Sequence, residues 1–251
     1  MARDGRRSVA RHVALRVGHP VSPVGRGDAR DLARGDTMSA VLHFRIGDVD
    51  AANLLVKAHH YSARPPANVQ VVGTWHEDGG LFGDYGVAVA ACFLCIPPTR
   101  WSEPLLELSR LVRAPRVTQP LTGLIASTMR HAAAGGTDLV VSFADRTQSH
   151  HGGIYQAASW RYDGCREKRM DGLVIDGTFH AGRSCNSAWG TQSPEKLQRI
   201  LPGRRIEPHF DEGKHLYWRA LSRKGYAKAA RLGLKHVAYP KPARINELVA
   251  A

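Results

Sequence analysis

The residues most able to do chemistry gather between Val140 and Gly164, VVSFADRTQSHHGGIYQAASWRYDG. An apolar run, Leu139 to Phe143, is followed by an acid, Asp145. A polar loop comes next, with adjacent histidines His150 and His151 and two glycines. A helix-like run, Ile154 to Ala158, then carries Tyr155 and closes on Trp160-Arg161-Tyr162. An apolar strand that delivers polar residues at its C-terminal edge is a common geometry for an α/β active site. A carboxylate placed like Asp145 could orient an amine, act as a general base or bind a metal; its plainer role is a helix N-cap or an ion pair with Arg146. Tyr155, expected on the inner face of its helix, reads as a core residue with a bonded hydroxyl, or else as a general acid.

A second constellation lies upstream in Glu107-Leu108-Ser109-Arg110, within an expected strand from Leu105 to Val112. Strand alternation puts Glu107, Ser109 and Leu111 on one face and Arg110 on the other with Leu106, Leu108 and Val112. A charge inside such a strand is costly unless it is paired or faces a cleft, so Glu107 or Arg110 is expected at a cleft. The alternative is an edge strand with solvated charges. His59-His60 and His150-His151 each border an expected loop. One histidine from each pair with Asp145 or Glu107 would make a two-histidine, one-carboxylate metal site; His60, His151 and Asp145 are the candidate set, for a transition metal such as iron or zinc. Cys92 and Cys95 have zinc-like spacing but sit in an apolar strand where residues three apart face opposite ways, so they read as buried small hydrophobes.

The elements that must position these groups follow from the apolar pattern. Val41 to Ile46 reads as a strand, and Asp48 or Asp50 can cap a helix ending at His59-His60. Val69–Trp75 and Asp84–Ile96 read as an antiparallel hairpin with a long turn, and Pro97-Pro98 ends it. Thr118 or Gln119 precedes Pro120, which suits the first turn of a helix running to about Ala134 and stopped by Gly135-Gly136. Further on come a strand or loop around Leu173–Phe179, a polar glycine-containing stretch over 180–193, a helix from Ser193-Pro194 to Leu201, a strand His215–Leu221 and a basic helix Arg223–Lys235. This order predicts a mixed α/β (α+β) sheet, mostly antiparallel and flanked by helices. The Rossmann fingerprint and the P-loop are absent.

With 251 residues, 43% of them hydrophobic, the chain can bury a substantial core. It has no apolar run long enough to span a membrane, and four cysteines make no disulfide framework, so a reducing cytoplasm is the expected compartment. The formal net charge of +13 is uneven. Residues 1–37 hold eight arginines and four aspartates, and residues 195–251 hold thirteen Lys/Arg and five Asp/Glu. Residues 1–37 are expected to be a disordered extension, with a short amphipathic helix over Val9–Val17 conceivable. A catalytic domain over 38–221 and a basic segment over 222–251 complete the expected organisation. The basic C-terminal third, with Arg223, Lys224 and Lys228 beside Tyr217, Trp218 and Tyr226, suggests a polyanionic partner such as DNA; a solvated basic surface is the alternative.

His60-Tyr61-Ser62, Glu107-Leu108-Ser109-Arg110-Leu111, Ser142-Phe143-Ala144-Asp145 and His151-Gly152-Gly153-Ile154-Tyr155-Gln156-Ala157 together resemble the phage Mom proteins. The likeness covers roughly Val41 to Leu221. It implies a fold similar to GNAT acyltransferases, which also end their catalytic core as strand, polar loop, tyrosine-bearing helix and strand. It further implies an enzyme that converts adenines in double-stranded DNA to a carbamoylmethyl-type derivative on the exocyclic amine, shielding phage DNA from host restriction. On that resemblance Tyr61, Arg110, Asp145 and Tyr155 are the first catalytic candidates. Glu107 joins them as a catalytic candidate, Ser109 and Ser142 as substrate-binding residues, and His60 and its neighbours as metal ligands. One departure is visible. GNAT enzymes grip the coenzyme A pyrophosphate with a glycine-rich loop at a helix N-terminus, whereas Arg116 to Gly123 here reads RVTQPLTG, so an acyl-CoA donor is in doubt. The competing functions are a GNAT-type acetyltransferase of a small amine or protein, and a non-enzymatic DNA-binding phage protein.

Overall fold

A computed structural model describes residues 41–79 and 85–240. The extension over 1–37 and the helix conceived at Val9–Val17 lie outside the described residues. The first strand, β1 (Leu42–Ile46), leads into helix α1 (Val49–His59), whose N-cap is Asp48; its carboxylate accepts from the Ala51 amide. Strands β2 (Val69–Glu77), β3 (Ala88–Cys95) and β4 (Leu106–Arg113) form an antiparallel meander. Helix α2 (Thr122–Ala134) carries the chain to β5 (Leu139–Asp145), which runs parallel to β4. A one-turn 3-10 helix, Arg146–Gln148, and the short helix α3 (Gly153–Ala157) lead to β6 (Arg161–Arg166).

The next segment departs from the expectation. The strand or loop around Leu173–Phe179 is a hairpin of β7 (Met170–Ile175) and β8 (Thr178–Ala181). Its turn is Asp176-Gly177, both at positive φ (49° and 81°), a dipeptide suited to a tight hairpin. The polar stretch over 180–193 contains helix α4 (Gly182–Trp189), which has no side-chain N-cap. Helix α5 (Pro194–Ile200) follows, capped by Ser193, and β9 (Ile206–Phe210) adds an edge strand to β7 that the sequence reading left out. These elements form a separate three-stranded sheet, β8-β7-β9, inserted between β6 and the last strand of the main sheet. That strand, β10 (Lys214–Ala220), lies between β5 and β6 and is antiparallel to both. Helix α6 (Arg223–Arg231) closes the fold.

The main sheet therefore runs β1-β2-β3-β4-β5-β10-β6, mixed and mostly antiparallel as expected. Alternation along its strands divides the core in two. Ala90, Cys92, Leu94, Leu108 and Val140 pack under α2 and α3 with Leu124, Ile125, Met129 and Tyr155. Val89, Ala91, Phe93, Cys95 and Val112 pack under α1 with Ala52, Leu55 and Val56. Cys92 and Cys95 thus face opposite sides, both fully buried, and burial pushes the Cys92 thiol up to about 12. On the α1 side, α6 covers Leu139, Val141, Leu216 and Trp218 through Ala229. The boundary expected between residues 221 and 222 therefore falls between two elements packed on one core. Among the described residues no helix is long and apolar enough to cross a membrane.

Candidate active site

β4 and β5 pair through only Leu106↔Val140 and Glu107↔Val141, and beyond that point they part. Ser142 spans the start of the gap: its hydroxyl lies 2.8 Å from both the Leu108 carbonyl and the Tyr155 hydroxyl. A cavity of about 360 Å³ opens between the parted strands, walled by Leu108, Ser109 and Leu111 on one side and Phe143 and Ala144 on the other. His60 and Tyr61, which follow α1, and the loop Ser149–Gly153 complete it, with Tyr155 on its wall. This volume is at the small end for a ligand site.

A β-bulge arranges the charged residues. Phe93 pairs with Arg110 but its neighbour Leu94 pairs with Leu108, so Ser109 is the extra residue on β4. Alternation is reset there, and Glu107 and Arg110 face the same side of the sheet, not opposite sides as the uninterrupted strand predicted. Burial raises the Glu107 carboxyl above its ordinary value, against the opposing pull of Arg110, a hydrogen bond from Ser109, Arg183 and Lys214. Tyr61 is 58% exposed, and its ring lies 4.4 Å from that of His60 and 5.8 Å from that of His150. Partial burial and the Asp145 carboxylate hold the Tyr61 phenol above its ordinary value, so it stays protonated at neutral pH. Tyr155, 8% exposed, is held far more strongly in its neutral form by burial.

His60 is fixed as a neutral ring. Its Nδ1 accepts from the Ser62 amide at 3.1 Å, so Nδ1 carries no proton and Nε2 does. Burial, with Arg110 and His150 nearby, pushes its pKa down to about 4. This arrangement bears on a metal. A ligating histidine donates its second ring N–H to an acceptor, whereas here the second ring nitrogen faces a donor. Among the described residues no three His, Cys, Asp or Glu side chains gather as a metal set. His60, Asp145 and His151 are thus not brought together as ligands. Asp145 instead caps the following turn by accepting from the Thr147 amide, and its other oxygen lies 3.8 Å from Lys214 Nζ. His151 contributes its backbone carbonyl, which accepts from the Tyr217 hydroxyl at 2.6 Å. His150 packs edge-on to Tyr61.

Of the expected site residues, His60, Tyr61, Ser109, His151 and Tyr155 line the cavity, and Ser142 lies behind Tyr155, while Glu107, Arg110 and Asp145 are not in its lining; Arg110 and Asp145 act on Tyr61 through their charges. The structure does not bring Arg223, Lys224 or Lys228 there. Ala220 pairs with Leu139 at the start of β5, so α6 begins at the end of the sheet away from the parted strands. Arg223 and Lys224 are exposed. Lys228 is not a free cation: Nζ lies 2.9 Å from Asp138 Oδ2 and donates to the Pro104 carbonyl. Two residues outside the cavity lining escaped the sequence reading, Arg64, which donates to Ser184 Oγ on α4, and Arg183, whose charge acts on the Glu107 carboxyl. Neither belongs to a recognisable motif, and only the fold of the insertion brings them near each other. The place where a coenzyme A pyrophosphate would sit fits poorly. Pro120 offers no amide before α2, Trp75 packs 3.2 Å from the Cβ position of Gly123, Arg113 is turned to the Gln119 carbonyl and Arg116 is paired with Glu77.

These observations define a mixed α/β protein with a small polar cleft between two parting strands. The chain belongs to the Mom protein family, whose pattern matches residues 41–241. No curated protein matches the chain. Among solved structures, it is similar to one from Desulfovibrio desulfuricans assigned to the GNAT family of acetyltransferases, with 12% identity, a TM-score of 0.42, and coverage of 72% of this chain and 100% of that one. An N-acetyltransferase from Staphylococcus aureus Mu50 gives 10% identity, a TM-score of 0.41, and 72% and 99% coverage. A Bacillus subtilis acetyltransferase in complex with CoA gives 11%, 0.39, and 72% and 100%.

Proposed function

We propose that this chain is a DNA-modifying transferase that places a carbamoylmethyl-type group on the exocyclic amine of adenine in duplex DNA, protecting phage DNA from host restriction. Membership of the Mom family over residues 41–241 carries this reading. The cleft supports it. A base in a duplex must leave the stack to be modified, and Tyr61, exposed and flanked by the rings of His60 and His150, offers an aromatic surface for a flat base.

The chemistry assigned to the side chains is modest. An adenine amine is a weak nucleophile, and it loses a proton as its nitrogen bonds to the donor carbon and the donor's leaving group departs with the electron pair. Glu107, whose carboxyl burial raises above its ordinary value, is suited in its ionised form to accept that proton. Tyr61 and the Nε2–H of His60 remain donors at neutral pH and can hold an acceptor on the base or the donor. Tyr155 and Ser142 fix the wall between them, and Asp145 orders the loop that carries His150. Arg223 and Lys224 fit the flanking duplex better than the target base. The seven residues of β5 span roughly 20 Å at a strand rise of about 3.3 Å, which reaches phosphates several base pairs away.

The test is to express the chain in bacteria, digest the host DNA and look for a new adenosine species by mass spectrometry. The modified nucleoside is expected with the native chain and not with Glu107→Gln. Unmodified DNA in cells that contain the folded native protein would overturn the reading.

A further inference from the structure

Tyr217 reads in the sequence as an aromatic beside the basic C-terminal third, available to a nucleic acid. In the structure it is fully buried in the core that α2 and α3 cover, so it has no face to offer a base. Its hydroxyl reaches the loop that walls the cavity. It donates to the His151 carbonyl at 2.6 Å and accepts from Gln156 Nε2 at 3.2 Å. The same Gln156 amide donates to the His151 carbonyl at 3.4 Å. Burial raises the Tyr217 phenol above its ordinary value, so it keeps the proton that makes it a donor.

The loop has little else to fix its middle. Ser149, His150 and His151 are exposed, so burial of their side chains does not anchor it. Its start is tied to the preceding turn: the Ser149 amide donates to the Arg146 carbonyl at 2.8 Å and the His150 amide to the Asp145 carbonyl at 3.1 Å. Its end runs into α3, where the Gly152 carbonyl accepts from the Tyr155 and Gln156 amides. Between these ties, the His151 carbonyl is held by side chains from β10 and α3. Gly152 permits the approach, since a Cβ there would lie 2.3 Å from the Tyr217 ring. Tyr217 also packs on Tyr155, with ring centroids 5.1 Å apart. It therefore backs two residues that line the cavity, His151 and Tyr155, and is not itself in the lining.

We propose that Tyr217 is a positioning residue of the cleft: with Gln156 it latches the His151 carbonyl and so sets His150 against Tyr61 across the cavity. The latch stands on these contacts and rests on the DNA-modification reading only for the reaction it serves. His150 precedes the latched residue, and its ring lies 5.8 Å from that of Tyr61. A loop free to swing would carry His150 away from Tyr61 and break up the aromatic surface offered to a base.

Tyr217→Phe keeps the buried ring and removes the hydroxyl. Tyr162→Phe is the comparison, because it removes a buried tyrosine hydroxyl that bonds His215 at 2.7 Å and not the loop. The first readout is the ring-proton resonance of His150 in the histidine-labelled full-length protein, identified by its absence from His150→Asn. In the native chain the Tyr61 ring is expected to displace it from the position of a free histidine. Tyr217→Phe is expected to shift it back toward that position, and Tyr162→Phe to leave it in place. Gln156→Leu is expected to shift it the same way by less, and serves if Tyr217→Phe fails to fold. The second readout is modified adenosine in host DNA per amount of folded protein. It should fall about tenfold or more in Tyr217→Phe, as misplacing a group beside a reacting centre does, and less than about twofold in Tyr162→Phe. A native resonance already at the free position, no shift in either latch variant, or an equal shift in Tyr162→Phe overturns the latch. Full modification in a Tyr217→Phe protein whose loop has moved overturns the positioning role. Host DNA without modified adenosine from the native chain, with the His150 resonance responding as expected, overturns the DNA reading and leaves the latch standing.

Discussion

Glu107 and Arg110 lie on the same face of β4 although only two residues separate them, because the bulge at Ser109 resets the strand. Without that extra residue Arg110 would turn to the α2 side, where Leu108 and Leu111 pack. With it, Arg110 is close enough to Tyr61 for its charge to act on the phenol, as the charges of Asp145 and Lys214 do.

The Glu107 carboxyl gives a pH test. Its native value is raised, so the folded chain holds its proton more readily than the unfolded chain does. The stability this contributes is full below the unfolded-state value near 4.5 and is lost as pH rises through the higher native value. Glu107→Gln removes the charged form. The melting temperature of the variant relative to the native chain should rise as pH goes from 4 toward 8, while adenine modification falls. A difference that stays constant across that range would remove the buried-carboxyl account.

Ser142→Ala leaves the Leu108 carbonyl and the Tyr155 hydroxyl without their shared partner. Denaturant unfolding should show a loss of about 1–3 kcal/mol, the cost of stranding buried polar groups. Tyr155→Phe keeps the Ser142–Leu108 bond and should lose nearer 1 kcal/mol. Tyr155→Phe and Asp145→Ala are both expected to abolish modification while DNA binding persists; normal adenosine modification in either variant counts against its role.

Gly152 is required by its surroundings. It sits at φ 78°, and a Cβ there would come 2.3 Å from the Tyr217 ring. Gly152→Ala must move the loop carrying His150 and His151 or the stacked ring beneath it. A stability loss of about 1–3 kcal/mol is expected from such crowding, with modification impaired beyond what the unfolded fraction explains. Thermal melting together with nucleoside analysis measures both.

The basic residues of α6 divide into two kinds. Arg223→Glu with Lys224→Glu should weaken duplex binding and lower the salt slope by about two, since both side chains are exposed. Lys228→Glu replaces the cation that lies 2.9 Å from Asp138 with a like charge and should lower the melting temperature. Binding isotherms across a salt series, read beside melting curves, distinguish the two. A lower melting temperature for the first pair with unchanged binding would move those residues from contact to structure.

Much of the main sheet was legible because its strands are apolar runs ended by proline or glycine, and α1 and α5 announce themselves through Asp48 and Ser193. The insertion was not. β9 carries Pro208 and Glu207 in an exposed edge strand, where a missing amide is tolerated and apolar alternation is weak. α4 begins after Ala181 with no capping side chain, so its start left no signal. Asp176-Gly177 did carry one, a turn dipeptide between short apolar runs. The cleft was legible as separate motifs but not as a place. A one-residue bulge cannot be seen in the alternation of β4, and residues 64 and 183 have no local sequence relationship.

The position of β10 bears on how the chain folds during synthesis. It fills the gap between β5 and β6, yet it is made only after the whole insertion has emerged. Until then the edges of β5 and β6 present unpaired amides and carbonyls, a template for pairing with another chain. Closing the sheet also means joining residues about seventy to eighty apart, from Asp145 with Lys214 at one end of the ladder to Leu139 with Ala220 at the other, and such long-range pairing is slow. The order of synthesis thus sets an interval in which the nascent chain is open to misassembly, and completing β10 ends it.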